Sequence, residues 1–127
     1  VANKKGIGLE EYKTWLKEVR RGREKLRVGL DLDYTPLKDT LELKERILKE
    51  QKANGLTQIL IFQTKHGYHL ELIYNRPVAV EENFKLREKY GDCKKRREYS
   101  ERRYNLIGND YDILFQVKEG FWRKRVW

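Results

Sequence analysis

Asp31 and Asp33 stand two residues apart in the run "GLDLDY". On a strand, carboxylates at i and i+2 point to the same side, so the pair concentrates negative charge at one place. Like charges that close raise one another's pKa unless a cation sits with them. Hard divalent cations prefer such oxygen donors, and Mg²⁺ is held by one or two carboxylates together with substrate phosphates. Two further segments carry polar residues of the same kind. "NDYD" at 109–112 holds Asp110 and Asp112, and "TKHGYH" at 64–69 holds both histidines, His66 and His69. With Asp31, Asp33 and Asp112 as ligands, and Asp110 as second choice, Mg²⁺ or Mn²⁺ ions activate an attacking oxygen and stabilise a leaving one. His69 is then placed to donate to a nucleotide phosphate, with Lys65 and neighbouring bases neutralising the remaining charge.

The elements that must position these residues follow from periodicity. "GLEEYKTWLKEVRR" at 8–21 sets Leu9, Tyr12, Leu16 and Val19 on one stripe of an amphipathic helix, with Trp15 as a packing residue. "LRVGLDLDY" alternates as strand one. Val28, Leu30 and Leu32 take one face, and Gly29, Asp31 and Asp33 the other. A helix follows, in which Asp39 and Glu42 have capping-box spacing and "NG" at 54–55 is the stop. "LTQILIF" is strand two and "HLELIYN" strand three, with Leu70, Leu72 and Tyr74 inward and His69 and Glu71 outward. Residues 80–104 are helical in composition, broken at Gly91. "YDILFQV" is strand four, with Tyr111, Ile113 and Phe115 as its core set.

After the first helix the order is β-α-β-β-α-β, the split βαβ pattern of an α+β, ferredoxin-like or RRM-like fold. The expected sheet is antiparallel, in order 4-1-3-2, with both helices on one face and the N-terminal helix as an extra. In that topology the end of strand one lies beside the starts of strands three and four. Asp31/Asp33, His69 and "NDYD" would therefore meet at one edge.

Charged residues make up 39% of the 127, with 29 Lys and Arg against 20 Asp and Glu, well above the ordinary share of about 25%. The ends are basic and the middle is slightly acidic. Residues 28–84 carry seven bases and nine acids, and residues 85–127 carry thirteen and seven. Such a surface attracts polyanions. The single cysteine, Cys93, excludes a disulfide framework or a multi-cysteine zinc site within the chain. No signal peptide and no apolar run of membrane-spanning length is present, so a cytoplasmic protein without a membrane partner is expected. Methionine is absent and the first residue is Val1, which fits removal of the initiator or trimming. Abundant Lys and Glu hint at a thermophile.

"GLDLDYTP", "TKHGYHLEL" and "YDILF" together resemble the archaeo-eukaryotic primase superfamily, the primase-polymerases. Its motifs are a hydrophobic-flanked Asp-x-Asp/Glu, a small-x-His and a hydrophobic-Asp. They fall here on Asp31 and Asp33, on Gly67-Tyr68-His69, and on Tyr111-Asp112. "YGDCKKRREYSERRYNL" is similar to a segment before the third motif in some plasmid and phage members. The resemblance covers roughly residues 26–118 of a single domain 1–127, between the N-terminal helix 8–21 and a basic aromatic tail 119–127. It implies an RRM-like catalytic unit in which Asp31, Asp33 and Asp112 bind divalent metal. His69, with Gly67 and Lys65, meets the nucleoside triphosphate. The implied reaction is template-directed nucleotidyl transfer on single-stranded DNA, with other replication proteins as further partners. Family members usually carry a second α/β half that helps hold template, and several carry a cysteine-rich zinc element. These residues are too few for a full second half and carry no such cysteine element, so the chain reads as a minimal catalytic unit, a fragment of a longer polypeptide or a relative without polymerase activity.

Lys94, Lys95, Arg96, Arg97, Arg102 and Arg103 fall within ten residues and suit contacts along a nucleic-acid backbone. Tyr90, Tyr99 and Tyr104 suit either base stacking or core packing, and "FWRKRVW" either nucleic acid or docking on the body. Three other functions compete. A non-catalytic RRM-like module would carry exposed aromatics on its central strands, where strand one offers Gly29, Asp31 and Asp33. A rolling-circle nickase needs His-x-His, and His66-x-x-His69 places its two rings out of phase. A degenerate primase subunit in a replication complex is the third.

Overall fold

The computed structural model describes residues 8–127. Helix α1 spans Leu9–Leu26, strand β1 Arg27–Asp33 and helix α2 Leu37–Gln51, which ends in a 3-10 turn at Lys52–Asn54. Strands β2, Leu56–Gln63, and β3, Gly67–Tyr74, form a hairpin. Helices α3, Val80–Lys89, and α4, Lys94–Ile107, are followed by three two-residue strands: β4 at Val117–Lys118, β5 at Phe121–Trp122 and β6 at Lys124–Arg125. Gly55 and Gly91 adopt left-handed backbone, at φ 95° and 83°, where α2 and α3 give way. The break expected at Gly91 is therefore real.

The fold is α+β with a four-stranded antiparallel sheet, compatible with the ferredoxin-like class. Its three long strands pair in the expected order, β1-β3-β2. Strand phase also follows the alternation. Val28, Leu30 and Leu32 join Leu70, Leu72, Ile59 and Ile61 in one core with Ile47 of α2 and Leu86 of α3. Val28, Leu30, Ile47, Ile61, Leu70 and Leu72 are fully buried, and each such aliphatic side chain contributes about 1.5–3 kcal/mol of transfer free energy.

The fourth strand departs from expectation. The sheet order is β1-β3-β2-β6, not 4-1-3-2. "YDILFQV" does not form a strand beside β1, and β6 pairs with the opposite edge, Phe62 facing Arg125 and Gln63 facing Lys124. Side chains explain the difference. The outer edge of β1 is closed without a ladder. Gly29 N–H donates to Asp112 Oδ2 at 2.8 Å and Asp31 N–H to Asp92 Oδ1 at 2.7 Å. The Gly29 carbonyl accepts from Arg96 Nη1 at 3.0 Å, and the Asp31 carbonyl from the Cys93 amide at 3.0 Å. With its edge groups satisfied, β1 has no place for another strand. Asp110, at φ 57°, also takes the chain out of extended geometry. Alternation therefore fails along this segment: Asp112 and Leu114 are buried and Phe115 is 65% exposed.

Two glycines make these contacts possible. A Cβ on Gly29 would lie 2.6 Å from Asp112 Oδ1, and one on Gly67 2.0 Å from the Leu32 carbonyl oxygen. Gly67 is thus inside β3, opposite Asp33, rather than in the turn.

Three smaller expectations change. Pro36 precedes the first turn of α2 and no side chain caps it, so Asp39 and Glu42 do not form a capping box. Trp15 is half exposed, with its ring 5.8 Å from that of Tyr12. Leu9 and Tyr12 are also exposed, while the Leu16 and Val19 side chains lie outside the described residues. Among the described residues no helix is long and apolar enough to cross a membrane.

Candidate active site

Antiparallel pairing places Asp31 directly opposite His69, and His69 opposite Phe62, across the sheet face that points away from α2 and α3. His69 Nε2 lies 3.5 Å from Asp31 Oδ1. Asp33 is two residues further along the same face. The structure thus brings Asp31, Asp33 and His69 together, as their phase predicts.

This face is not open. The β4–β5 hairpin sets Lys118 over it, and Arg123, between β5 and the edge strand β6, covers the rest. Lys118 Nζ stands 3.3 Å from Asp33 Oδ1 and 3.8 Å from Asp31 Oδ2. Arg123 lies flat over Phe62 at 3.7 Å, pairs with Glu71 Oε2 at 2.7 Å, and reaches His69 Nδ1 at 3.5 Å. His69 is only 2% exposed as a result. Lys118 and Arg123 carry no motif of their own.

Burial disfavours the charged form of Asp31, but His69, Lys118 and Arg96 outweigh it and hold its carboxyl below the usual carboxylate range. Lys118 is the counterpart: burial works against its charge, and Asp31 with Asp33 raises its pKa regardless. The two shifts agree on an ionised group of mixed sign at neutral pH.

Asp112 does not join this group. It lies beside Gly29, two residues earlier on β1, and is 1% exposed. Its Oδ2 accepts from Gly29 N–H at 2.8 Å and Asn83 Nδ2 at 2.7 Å. Its Oδ1 is ion-paired with Arg96 and lies 3.7 Å from Arg27 Nη2. Burial opposes its ionisation, and Arg96, Arg27 and Arg87 more than reverse that, holding it below the usual range. Asp110 is buried, and its carbonyl accepts from Arg103 Nη1 at 3.4 Å. Among the described residues no group of three or more His, Cys, Asp or Glu side chains is arranged around a metal position.

Of the expected nucleotide contacts, Lys65 is paired with Glu119 at 2.9 Å, at the far side of the hairpin turn. Gly67 is accounted for by the approach of Leu32. The basic run on α4 divides in two. Lys94, Lys95 and Arg102 are exposed. Arg96 points inward, to Asp92 Oδ1 at 2.9 Å, the Ile113 carbonyl at 3.0 Å and Asp112. Arg97 Nε donates to the Asp92 carbonyl at 3.2 Å. Asp92 and the fully buried Arg87, 2.8 Å apart, had no motif to announce them.

Between the end of β1, the start of α4 and residues 113–118 lies a cleft of about 180 Å³. Asp31 and Asp33 line one wall, and Lys95, Arg103 and Lys118 bring positive charge to it. Tyr99 and Phe115, 54% and 65% exposed, line it as well. Tyr90 and Tyr104 are not available for stacking: Tyr90 is buried and donates to Glu50, and Tyr104 packs edge-on against Phe84 and Tyr111.

Comparison of the chain with protein-family models, curated proteins and solved structures returns no match.

The cleft offers two carboxylates, Asp31 and Asp33, and its other charged side chains are bases. Asp31 Oδ1 is buried and receives no hydrogen bond of normal geometry. Asp31 and Asp33 are two carboxylates, the number with which Mg²⁺ is held when substrate phosphates complete its shell.

Proposed function

We propose that the chain is a metal-dependent nucleotidyltransferase of primase type, acting on single-stranded DNA with nucleoside triphosphates. The observation that carries this reading is the cleft, in which the Asp31/Asp33 pair faces Lys95, Arg103 and Lys118. Carboxylates opposite mobile cations, with aromatic side chains beside them, match the parts of a metal–triphosphate: cation, phosphates and base. At about 180 Å³ the cleft accommodates the metal and phosphate head rather than a whole nucleotide, since ligand pockets run from about 300 Å³ upward. Tyr99 and Phe115 are exposed enough to stack on the remainder.

In this reaction a 3′ hydroxyl attacks the α-phosphate and pyrophosphate leaves. Mg²⁺ or Mn²⁺, when bound, would supply Lewis-acid polarisation of the phosphoryl group and a more acidic attacking hydroxyl. Asp31 and Asp33 would hold the cation. Lys95 and Arg103 would hold the phosphate chain, and charge-assisted hydrogen bonds of that kind stabilise developing negative charge. His69, wedged between Asp31 and Arg123, orients the Asp31 carboxylate. It meets a phosphate only where Arg123 moves aside. Lys94 and Arg102, exposed and outside the cleft, offer a basic face to a template backbone. Asp112 supports the site from behind by fixing β1 through Gly29 and Arg96. The RRM-type reading is weaker, because His69 and Glu71 on β3 are buried beneath Arg123 and present no stacking platform.

The test is incubation with single-stranded template, labelled deoxynucleotides or ribonucleotides, and Mn²⁺ or Mg²⁺. Extended product is expected, lost in Asp31→Ala/Asp33→Ala. No product, together with unchanged metal and nucleotide binding in that double variant, overturns the reading.

A further inference from the structure

Lys118 stands at a position that a second cation would contest. Its ammonium lies within 4 Å of both Asp31 and Asp33, and among the described residues those two carboxylates have no other lysine partner. The side chain is 31% exposed, so it can leave without opening the core. Its backbone is fixed by a tight turn. Val117 faces Trp122 and Lys118 faces Phe121, with Glu119 and Gly120 between them at φ 51° and 81°. Two left-handed residues in a two-residue loop match the twist of the flanking strands. The hairpin is closed by Arg123 N–H donating to the Gln116 carbonyl at 2.8 Å, and it is tied to the sheet by Glu119 to Lys65 and by Arg123 on Phe62 and Glu71. Only the flexible four-carbon stem of Lys118 is left to swing.

Where it would swing is also defined. Lys118 lines the same cleft as Lys95 and Arg103. Lys95 has no carboxylate partner among the described residues, and Arg103 reaches only a carbonyl there, at 3.4 Å. A polyanion seated between these three cations would find Lys118 already within reach.

We propose that Lys118 is a displaceable counter-ion. Without metal it neutralises Asp31 and Asp33. When a divalent cation takes those carboxylates, Lys118 exchanges them for a phosphate oxygen of the nucleoside triphosphate. This rests on the function proposed above and adds to it an order: the lysine and the metal compete, while the lysine and the triphosphate cooperate. The two ligands should therefore respond to its removal with opposite sign. A lysine that is merely structural has no such signature. Lys95→Gln removes a charge from the same cleft that pairs with no carboxylate among the described residues. It gives the change that loss of positive charge alone produces, which Lys118→Gln must exceed for Mn²⁺.

The experiment is Mn²⁺ titration, read by the paramagnetic resonance signal of the free ion. It is followed by calorimetric titration of a non-hydrolysable nucleoside triphosphate at saturating Mn²⁺. Wild type, Lys118→Gln, Lys118→Arg, Lys95→Gln and Asp31→Asn/Asp33→Asn are compared. In Lys118→Gln, Mn²⁺ alone should bind about threefold more tightly, the scale of one partly exposed ion pair. The triphosphate should bind about tenfold more weakly, the scale of one charge-assisted hydrogen bond. Lys118→Arg should stay near wild type in both. Unchanged or weaker Mn²⁺ binding in Lys118→Gln, or tightening no greater than in Lys95→Gln, overturns the competition, and unchanged triphosphate binding overturns the exchange. If Asp31→Asn/Asp33→Asn binds Mn²⁺ as well as wild type does, the metal site itself is wrong and the proposed function falls with it. If only the Lys118→Gln expectations fail, the function stands and the role of Lys118 does not.

Discussion

Strand β1 carries two carboxylate environments within five residues, and they are opposites. Beside Gly29, Asp112 is sealed. It meets two N–H donors and two guanidiniums and is 1% exposed, and Asp92, itself paired with Arg87 and Arg96, accepts from Asp31 N–H while the Cys93 amide closes the Asp31 carbonyl. At the end of the strand, Asp31 and Asp33 have one flexible lysine, a histidine at 3.5 Å and an oxygen with no hydrogen bond of normal geometry. The same residue type is used in one place to finish a sheet edge and in the other to leave coordination unfinished. A saturated carboxylate fixes structure, whereas an unsaturated one retains capacity for a ligand.

The largest expected effect breaks the comparison outright if it fails. Asp112→Ala leaves Arg96 and Arg27 facing each other with Gly29 N–H unbonded, and it should lose about 3–5 kcal/mol of stability, as removal of one partner of a buried ion pair does. Asp31→Ala/Asp33→Ala should lose less, about 1–2 kcal/mol, since the lysine paired with both carboxylates is 31% exposed and can turn to water, which leaves only the buried His69 contact to lose. Urea unfolding of both variants decides this. Equal losses would mean that the two environments do not differ in kind.

The next effect is one of pH. Asp112 titrates below the ordinary carboxylate value in the folded state, so the stability it confers is complete above its unfolded pKa of about 4. That stability is lost as pH falls through the folded value, with a slope of about 1.4 kcal/mol per pH unit for one proton. Denaturation followed from pH 5 downward should show a wild-type slope steeper by this one-proton amount than that of Asp112→Asn, since Asp31, Glu50, Glu82 and Glu119 are also held low and contribute to both. The smallest effect on the fold separates exposed from inward-facing bases on α4. Lys94→Gln/Arg102→Gln should shift stability by less than about 0.5 kcal/mol. It should also lower the salt slope of single-stranded DNA binding by about 1.4, at about 0.7 for each phosphate no longer neutralised. An unchanged slope would remove α4 as the template face.

Periodicity carries most of the fold. The β1, β2 and β3 segments, the helices between and after them, and the facing of Val28, Leu30, Leu32, Leu70 and Leu72 are all legible, because alternation and 3.6-residue spacing are local consequences of burial. The pairing of Asp31 with His69 follows from the same alternation. "YDILFQV" misleads because its composition favours a strand, whereas its conformation depends on Asp112 reaching Gly29 and Arg96, partners brought from distant parts of the chain. Arg96 and Arg97 mislead with it, since a run of bases gives no sign of which members face inward.

The sequence by itself therefore determined which residues could share a face: Asp31 and Asp33 with His69, opposite the apolar set. That is backbone geometry, repeated at every second residue. Only the tertiary structure decided which carboxylates were sealed and which were left with a mobile partner. Whether Asp112 meets Arg96 or Asp31 meets Lys118 depends on how residues some 60 to 85 positions away are folded back onto β1, and saturation is a property of the neighbours a group acquires in three dimensions.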